Sequence, residues 1–278
     1  MLIRIARWQL NRSRKKSLKA GYPEIAAYAR DYIGTDIALY GYWEIQSLKA
    51  LELICLRYDL HGTFVDVGAN IGAYSLGLGK NFANTIAFEP NPETHSLLSH
   101  NLRFNLDCKY QVSQLALGNR SYLANISVIK SNRGGASLLP CNHECYETTE
   151  VRVETLDNVL EADIGINEKT TIDLIKIDVE GFEADVIEGA IETIKNHQPV
   201  VAFEWSENSR ASHGHVKILE DLGYKFFLTK LRHGYWLEIA SLGSKKGCIS
   251  LSPIQGEKLA QTKHHINLVI AIPSKHIG

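Results

Sequence analysis

The chain has 278 residues, 45% of them hydrophobic and 22% charged, which is enough to bury a full core without disulfides or a structural metal and excludes disordered and collagen-like classes. Thirty Lys and Arg against 31 Asp and Glu leave a formal net charge of −1, so there is no global footprint for nucleic acid and no such partner is expected. Cys55, Cys108, Cys141, Cys145 and Cys248 form neither an even disulfide framework nor a paired C-x-x-C set, which suits a reducing, cytoplasmic setting.

In residues 1–19, Arg4, Arg7, Arg12, Arg14, Lys15, Lys16 and Lys19 interrupt or follow Leu2, Ile3, Ile5, Trp8 and Leu10. A basic amphipathic segment of this kind can lie on an anionic membrane surface and make the protein membrane-peripheral. A solvated terminus, or a helix docked on the protein, explains the same pattern. Arg4 and Arg7 break the apolar stretch a signal peptide needs, and nowhere does an apolar run approach the ~20 residues of a spanning helix. From Pro23 to Leu60 the pattern is helical, with Ile25, Tyr28, Ala29 and Tyr32 on one stripe and Leu48, Leu51, Leu53, Ile54 and Leu56 following. Residues 1–60 therefore read as an extension and helical cap, and 61–278 as one catalytic-sized domain.

From Thr63 short apolar runs alternate with helical patterns: TFVDVG, NTIAFEP, QVSQLAL, TIDLIKID and QPVVAFEW. That alternation predicts an α/β fold, a doubly wound and mostly parallel sheet with both faces covered. SYLANISVIK and EVRVETLD read as extra strands on a decorated crossover, and YKFFLTK, YWLEIA and INLVIAIP as closing strands, with residues 241–265 inserted between the last two. This insertion is either a lid over the site or an ordinary surface loop.

Val65-Asp66-Val67-Gly68-Ala69-Asn70-Ile71-Gly72 follows an apolar strand and opens a helical pattern, as a loop does when its backbone must turn sharply against a ligand. A dinucleotide fingerprint wants glycine where Asn70 and Ala73 stand, so an NAD(P)-dependent oxidoreductase fits poorly. Glu89 ends the next strand seventeen residues after Gly72, near the offset of a carboxylate that grips ribose hydroxyls. In a doubly wound sheet the carboxyl ends of the strands would gather Asp66, Glu89 and Asp178. Clustered acids raise one another's pKa, and a sulfonium ligand with an ammonium group would supply the missing positive charge. Glu180 and Glu183 have a second explanation as acids in the first turn of a helix.

VDVGANIG, AFEPNP, LALGN, VETLDNVL and LIKIDVEGFE, in this order between about Gly41 and Trp205, together resemble the FkbM family of S-adenosylmethionine-dependent methyltransferases. The resemblance implies a class I, Rossmann-like fold whose seven-stranded sheet ends in an antiparallel hairpin. It also implies O-methylation of sugars, polyketides or related metabolites. By position it makes Asp66, Gly68, Asn70 and Gly72 the cofactor loop, Glu89 the ribose ligand and Asp178 part of the site edge. Leu115 and Ala116 fall where adenine packs, unless they are simply core. Gly41-Tyr42-Trp43-Glu44 resembles the family's entry motif and directs Glu44 to the methionine end or the substrate.

Methyl transfer to a hydroxyl requires the donor sulfur, methyl carbon and acceptor oxygen in line, and a base within hydrogen-bond reach of the hydroxyl. Glu204, at the end of PVVAFEW, is the first choice for that base, with Glu180 and His213 behind it. His215 shares the loop or helix that follows. Asp178, Glu180 and Glu183 could hold a divalent ion, but no further acid completes an octahedral set, and no metal is expected. Cys141-Asn-His143-Glu-Cys145 reads as a surface loop rather than a soft-metal pair. Tyr40, Tyr42, Trp43, Trp205 and Trp236 are either walls of a pocket for a small-molecule or glycan-like acceptor, or core. The remaining rival is a non-catalytic nucleoside-binding module held at a membrane by the basic terminus. The oligomeric state is not legible in the sequence.

Overall fold

The computed structural model describes residues 2–19, 21–29, 31–129, 132–137, 147–162, 170–205, 214–231, 249–262 and 265–277. Three helices, α1 (Leu2–Lys19), α2 (Tyr32–Tyr40) and α3 (Ile45–Tyr58), precede the sheet. Asp31 caps α2 by accepting from the Ile33 amide at 3.3 Å. The helical pattern read from Pro23 begins only at Tyr32. Residues 22–28 have no regular structure, because Asn101 takes both backbone groups of Ala26, accepting from its N–H at 2.8 Å and donating to its carbonyl at 3.0 Å. Asn105 also donates to the Glu24 carbonyl, so side chains of another helix satisfy a backbone that would otherwise have to pair with itself.

The central sheet is built from β1 (Thr63–Val67), β2 (Asn84–Phe88), β3 (Lys109–Ser113), β8 (Ile172–Ile177), β9 (Val200–Trp205), β10 (Tyr224–Leu231), β11 (Ile249–Ile254) and β12 (Ile266–Pro273). Its order is β11-β10-β12-β9-β8-β1-β2-β3. The strands from β9 to β3 run parallel, while β12 lies antiparallel to both β9 and β10, which is the expected closing hairpin. The seven anticipated strands are joined by an eighth, β11, antiparallel at the edge. β11 and a helix at Gly256–Ala260 come from the stretch read as a lid or loop. The Gly256 amide donates to Glu220 and Leu259 is fully buried, so this half of the insertion is packed onto the domain. The anticipated strand YWLEIA, residues 241–248 and 263–264 of the insertion, Trp236 and the Cys141–Cys145 segment lie outside the described residues.

The decorated crossover forms a second sheet, β4 (Ala116–Leu117), β7 (Glu147–Glu154), β5 (Tyr122–Ile129) and β6 (Asn132–Ser137), in that order. The helices α4 (Ala73–Gly79), α5 (Pro92–Asn105), α6 (Leu156–Ala162), α7 (Glu183–Glu188), α8 (Ile191–His197) and α9 (Gly214–Asp221) cover the central sheet. Side chains alternate between the faces of a strand. On one face Val65, Val67, Ile175, Ile177 and Phe203 pack against α6 to α9. On the other, Phe64, Leu174 and Ala202 pack against α3 and α4, so the next residues of that face, Asp66, Lys176 and Glu204, reach its carboxyl end together.

Candidate active site

The chain winds from β1 outward to β3, then returns to the other side of β1 with β8, so the switch point lies between β1 and β8. The Asp178 amide donates to the Val67 carbonyl at 3.0 Å, and the amides of Gly68 and Ala69 both donate to the Phe88 carbonyl, which ties the three strand ends together. Gly68, Asn70 and Gly72 all have positive φ, at 72°, 52° and 92°. A Cβ on Gly68 would sit 1.9 Å from the Asp178 carbonyl oxygen. The glycine is therefore required by the seam between β1 and β8, and a side chain there collides with the protein before it meets any ligand.

Glu89 is buried at the end of β2. One carboxylate oxygen accepts from the Asn70 amide at 3.0 Å and the other from the Asn91 amide at 2.9 Å. Each oxygen keeps a lone pair for a further donor, which suits a pair of ribose hydroxyls. Burial pushes its pKa up to about 7 despite those two amides.

Asp66 is fully buried beneath the loop, accepting from the Ser75 hydroxyl at 2.6 Å, while its other oxygen has no hydrogen-bond partner among the described residues and stands 3.9 Å from Lys176 Nζ. Lys176 donates to Asp178 at 3.0 Å and its ammonium lies 4.2 Å from the centre of the Tyr74 ring. Burial favours the neutral amine, but Asp178, Asp66 and Glu44 outweigh it and raise the lysine's pKa. Glu44, in left-handed backbone conformation before α3, accepts from the Tyr74 hydroxyl at 2.6 Å. Asp66, Asp178 and Glu44, distant in sequence, are thus gathered around one ammonium. Sequence reasoning missed Lys176 and Tyr74; the signal for the first was a lysine inside the apolar run Leu174-Ile175-Lys176-Ile177.

Further along the same edge lie Glu180, at φ 52° in the turn after β8, and Glu183, buried and accepting from the Gly181 amide at 3.0 Å. Glu204 completes the group from β9, with His265 Nε2 3.1 Å from its Oε1. Burial, then Asp178, Glu180, Glu183 and Glu44, push the Glu204 pKa up to about 9. Burial, Asp178, Glu183 and Glu44 raise Glu180 as well, and burial and Asp178 raise Glu44. Among the described residues, an edge with one lysine and six carboxyl groups has the chemistry of a cation site, and fits a ligand that carries a sulfonium and an ammonium.

Leu115 is partly buried against the main core, and Ala116 is buried in the second sheet with Ile126, Val151 and Val153. The end of β3 borders Glu89, whose amide donates to the Ser113 carbonyl. Two of the proposed pocket walls are core instead. Tyr42 stacks on Tyr22 at 4.7 Å and donates to the Ala73 carbonyl, and Trp205 is fully buried with its indole N–H on the Thr262 carbonyl. Tyr40 and Trp43 remain half-buried. His213 lies outside the described residues, and His215 is fully buried beside the Phe203 ring, away from any base's work on a substrate.

The sequence profile of the methyltransferase FkbM domain matches residues 66–226, from the buried acid of β1 into β10. The chain is 29% identical over 191 residues to methyltransferase sdnD of Sordaria araneosa, covering 58% of this chain and 72% of that protein. It is 28% identical over 143 residues to methyltransferase 1 of Beauveria bassiana, covering 45% and 57%. Among solved structures, the methyltransferase FkbM of Methylobacillus flagellatus aligns over 92% of this chain at 17% identity and a TM-score of 0.43, and this chain spans 57% of its length. A TehB-like SAM-dependent methyltransferase from Corynebacterium glutamicum aligns over 85% of this chain and 92% of its own, at 10% identity and a TM-score of 0.42. With the family's profile running through the glycine loop, the Glu89 end of β2 and the Asp178–Glu204 edge alike, the chain belongs to the FkbM methyltransferase family, whose membership implies S-adenosylmethionine as the methyl donor.

Proposed function

We propose that this methyltransferase moves a methyl group from S-adenosylmethionine to a hydroxyl of a sugar, glycan or secondary-metabolite acceptor. The observation that carries the reading is Glu204, a half-buried carboxyl at the carboxyl end of β9, beside His265 and among the acids that fit the donor's positive charges. When bound, the sulfonium supplies an electrophilic methyl carbon. This chain's residues then have three tasks.

Glu89 and the Gly68–Gly72 turn hold the nucleoside, the carboxylate by accepting from ribose hydroxyls and the turn by bringing the Asn70 amide and Glu89 to the end of β1. Glu44 and Asp178, steadied by Tyr74 and Lys176, face the methionine end. Glu204 takes the acceptor's hydroxyl proton on a carboxylate oxygen as the new carbon–oxygen bond forms, and His265 orients that carboxylate. A base with a pKa near 9 is protonated at neutral pH, so Glu204 gains its accepting power when positive charge enters the cluster and draws its pKa down. Glu180, whose pKa burial and Asp178 also raise, is the second choice. Tyr40 and Trp43, next to Glu44, are the aromatic surfaces available for the apolar face of a sugar ring.

The test is transfer of labelled methyl from S-adenosylmethionine into a panel of sugars, lipid-linked glycans and polyketides, with amines and carboxylic acids alongside. Alkali-stable label on hydroxyl acceptors is the expected result. Label confined to amines, or released by mild base as from an ester, contradicts O-methylation. Glu204→Gln should lower kcat by about 10²- to 10⁴-fold, a larger effect than its effect on donor affinity.

A further inference from the structure

The charge of the molecule is divided unevenly. Residues 1–19 hold seven of the 30 basic side chains and none of the 31 acidic ones, so α1 carries +7 while the rest of the chain carries −8. At about 3.6 residues per turn, Arg4, Trp8, Lys15 and Lys19 fall within about 60° of one another around α1. All four are exposed, Trp8 by 60%. Ile5 and Leu18, exposed by 50% and 46%, flank this strip on either side. On the opposite side of the helix Ser13 is buried and Arg14 pairs with Glu24, while Leu10 beside them stays exposed by 42%. The Arg12 guanidinium stacks over Trp8 at 5.2 Å, which puts a phosphate-binding fork beside an aromatic ring that prefers the lipid headgroup zone.

We propose that α1 docks this enzyme on an anionic lipid bilayer, with Trp8, Ile5 and Leu18 entering the headgroup boundary and Arg4, Arg12, Lys15 and Lys19 meeting lipid phosphates and carboxylates. Exposed apolar side chains set among lysines and arginines favour a lipid surface over a nucleic acid, which would use the charges and leave Ile5 and Leu18 in water. The rest of the chain carries a net −8, which the same surface repels, so α1 is the element that attraction turns towards the membrane. No described helix is long and apolar enough to cross a membrane, so the contact is with the surface.

The test uses the full chain with sucrose-loaded vesicles of phosphatidylcholine, with and without phosphatidylserine. The protein should sediment with the phosphatidylserine vesicles at least tenfold more strongly than with phosphatidylcholine alone, and less as salt rises. Replacing Arg4, Lys15 and Lys19 together by Gln should weaken this binding by roughly a hundredfold, at about fivefold per charge. Trp8→Ser should weaken it while leaving the salt dependence in place. Thermal melting and binding of S-adenosylhomocysteine should be the same in every variant, which shows that each is folded. Absence of vesicle binding, equal binding to neutral vesicles, or no response to these substitutions overturns the proposal. So does binding of the face to polyuridylate or to a second copy of the chain with vesicles ignored.

Discussion

Lys176 Nζ stands 3.0 Å from Asp178 Oδ2 and 3.9 Å from the wholly buried Asp66, so one ammonium joins the ends of two adjacent parallel strands at the switch point. Removing it strands Asp66 without a counter-charge. Lys176→Met should lower the unfolding free energy by about 3–5 kcal/mol in urea titrations, and adding Asp66→Asn should recover much of that. If Lys176→Met is as stable as the parent, the lysine does not neutralise Asp66.

Gly68→Ala is a test of the seam. Its Cβ would overlap the Asp178 carbonyl at 1.9 Å, and its φ of 72° is strained for any side chain. The variant should lose about 3 kcal/mol or more of stability along with donor binding. A variant that melts normally and only fails to bind would place the clash in the ligand site instead.

Glu89→Gln leaves one acceptor where the amides of Asn70 and Asn91 now have two, and takes the charge from the proposed ribose contact. Calorimetric titration should show S-adenosylhomocysteine bound about 10- to 100-fold more weakly, the worth of one or two hydrogen bonds to a charged group.

Ionisation of Glu89 and Glu204 opposes folding in the free protein. Both are raised from ordinary glutamate values, to about 7 and about 9, so the stability they lend is fully present near pH 4 and is lost as pH rises through these values. The melting temperature should fall between pH 5 and 9 by these terms, and Glu204→Gln should flatten the upper part of the fall. If Glu204 is the base, kcat/KM, which reports the free enzyme, should climb with pH and reach half its maximum near pH 9. A kcat/KM that is flat across that range excludes it.

Much of this architecture is legible in the sequence where one residue type does one job. TFVDV and NTIAF are too short and apolar to be anything but buried strands, and the Gly68–Gly72 turn and Glu89 follow at their ends. Lys176 escapes because β8 is buried on both faces, so its pattern carries no alternation against which a buried charge stands out. β11, with Pro253 and two serines, reads as loop because an edge strand needs neither a continuous apolar run nor every amide. Ile25, Tyr28 and Ala29 imitate a helical stripe, but partners seventy to eighty residues away, Asn101 and Asn105, decide that segment's backbone. Tyr42 and Trp205 have the composition of pocket walls, and only the packing of Tyr22 and Thr262 against them reveals core.

The most direct measurement is a calorimetric titration of the purified chain with S-adenosylhomocysteine beside NAD and NADP. The account predicts saturable binding of one S-adenosylhomocysteine per chain, weakened by Glu89→Gln, and no heat from either dinucleotide. Binding of NAD or NADP in its place, or S-adenosylhomocysteine binding untouched by Glu89→Gln, would contradict it.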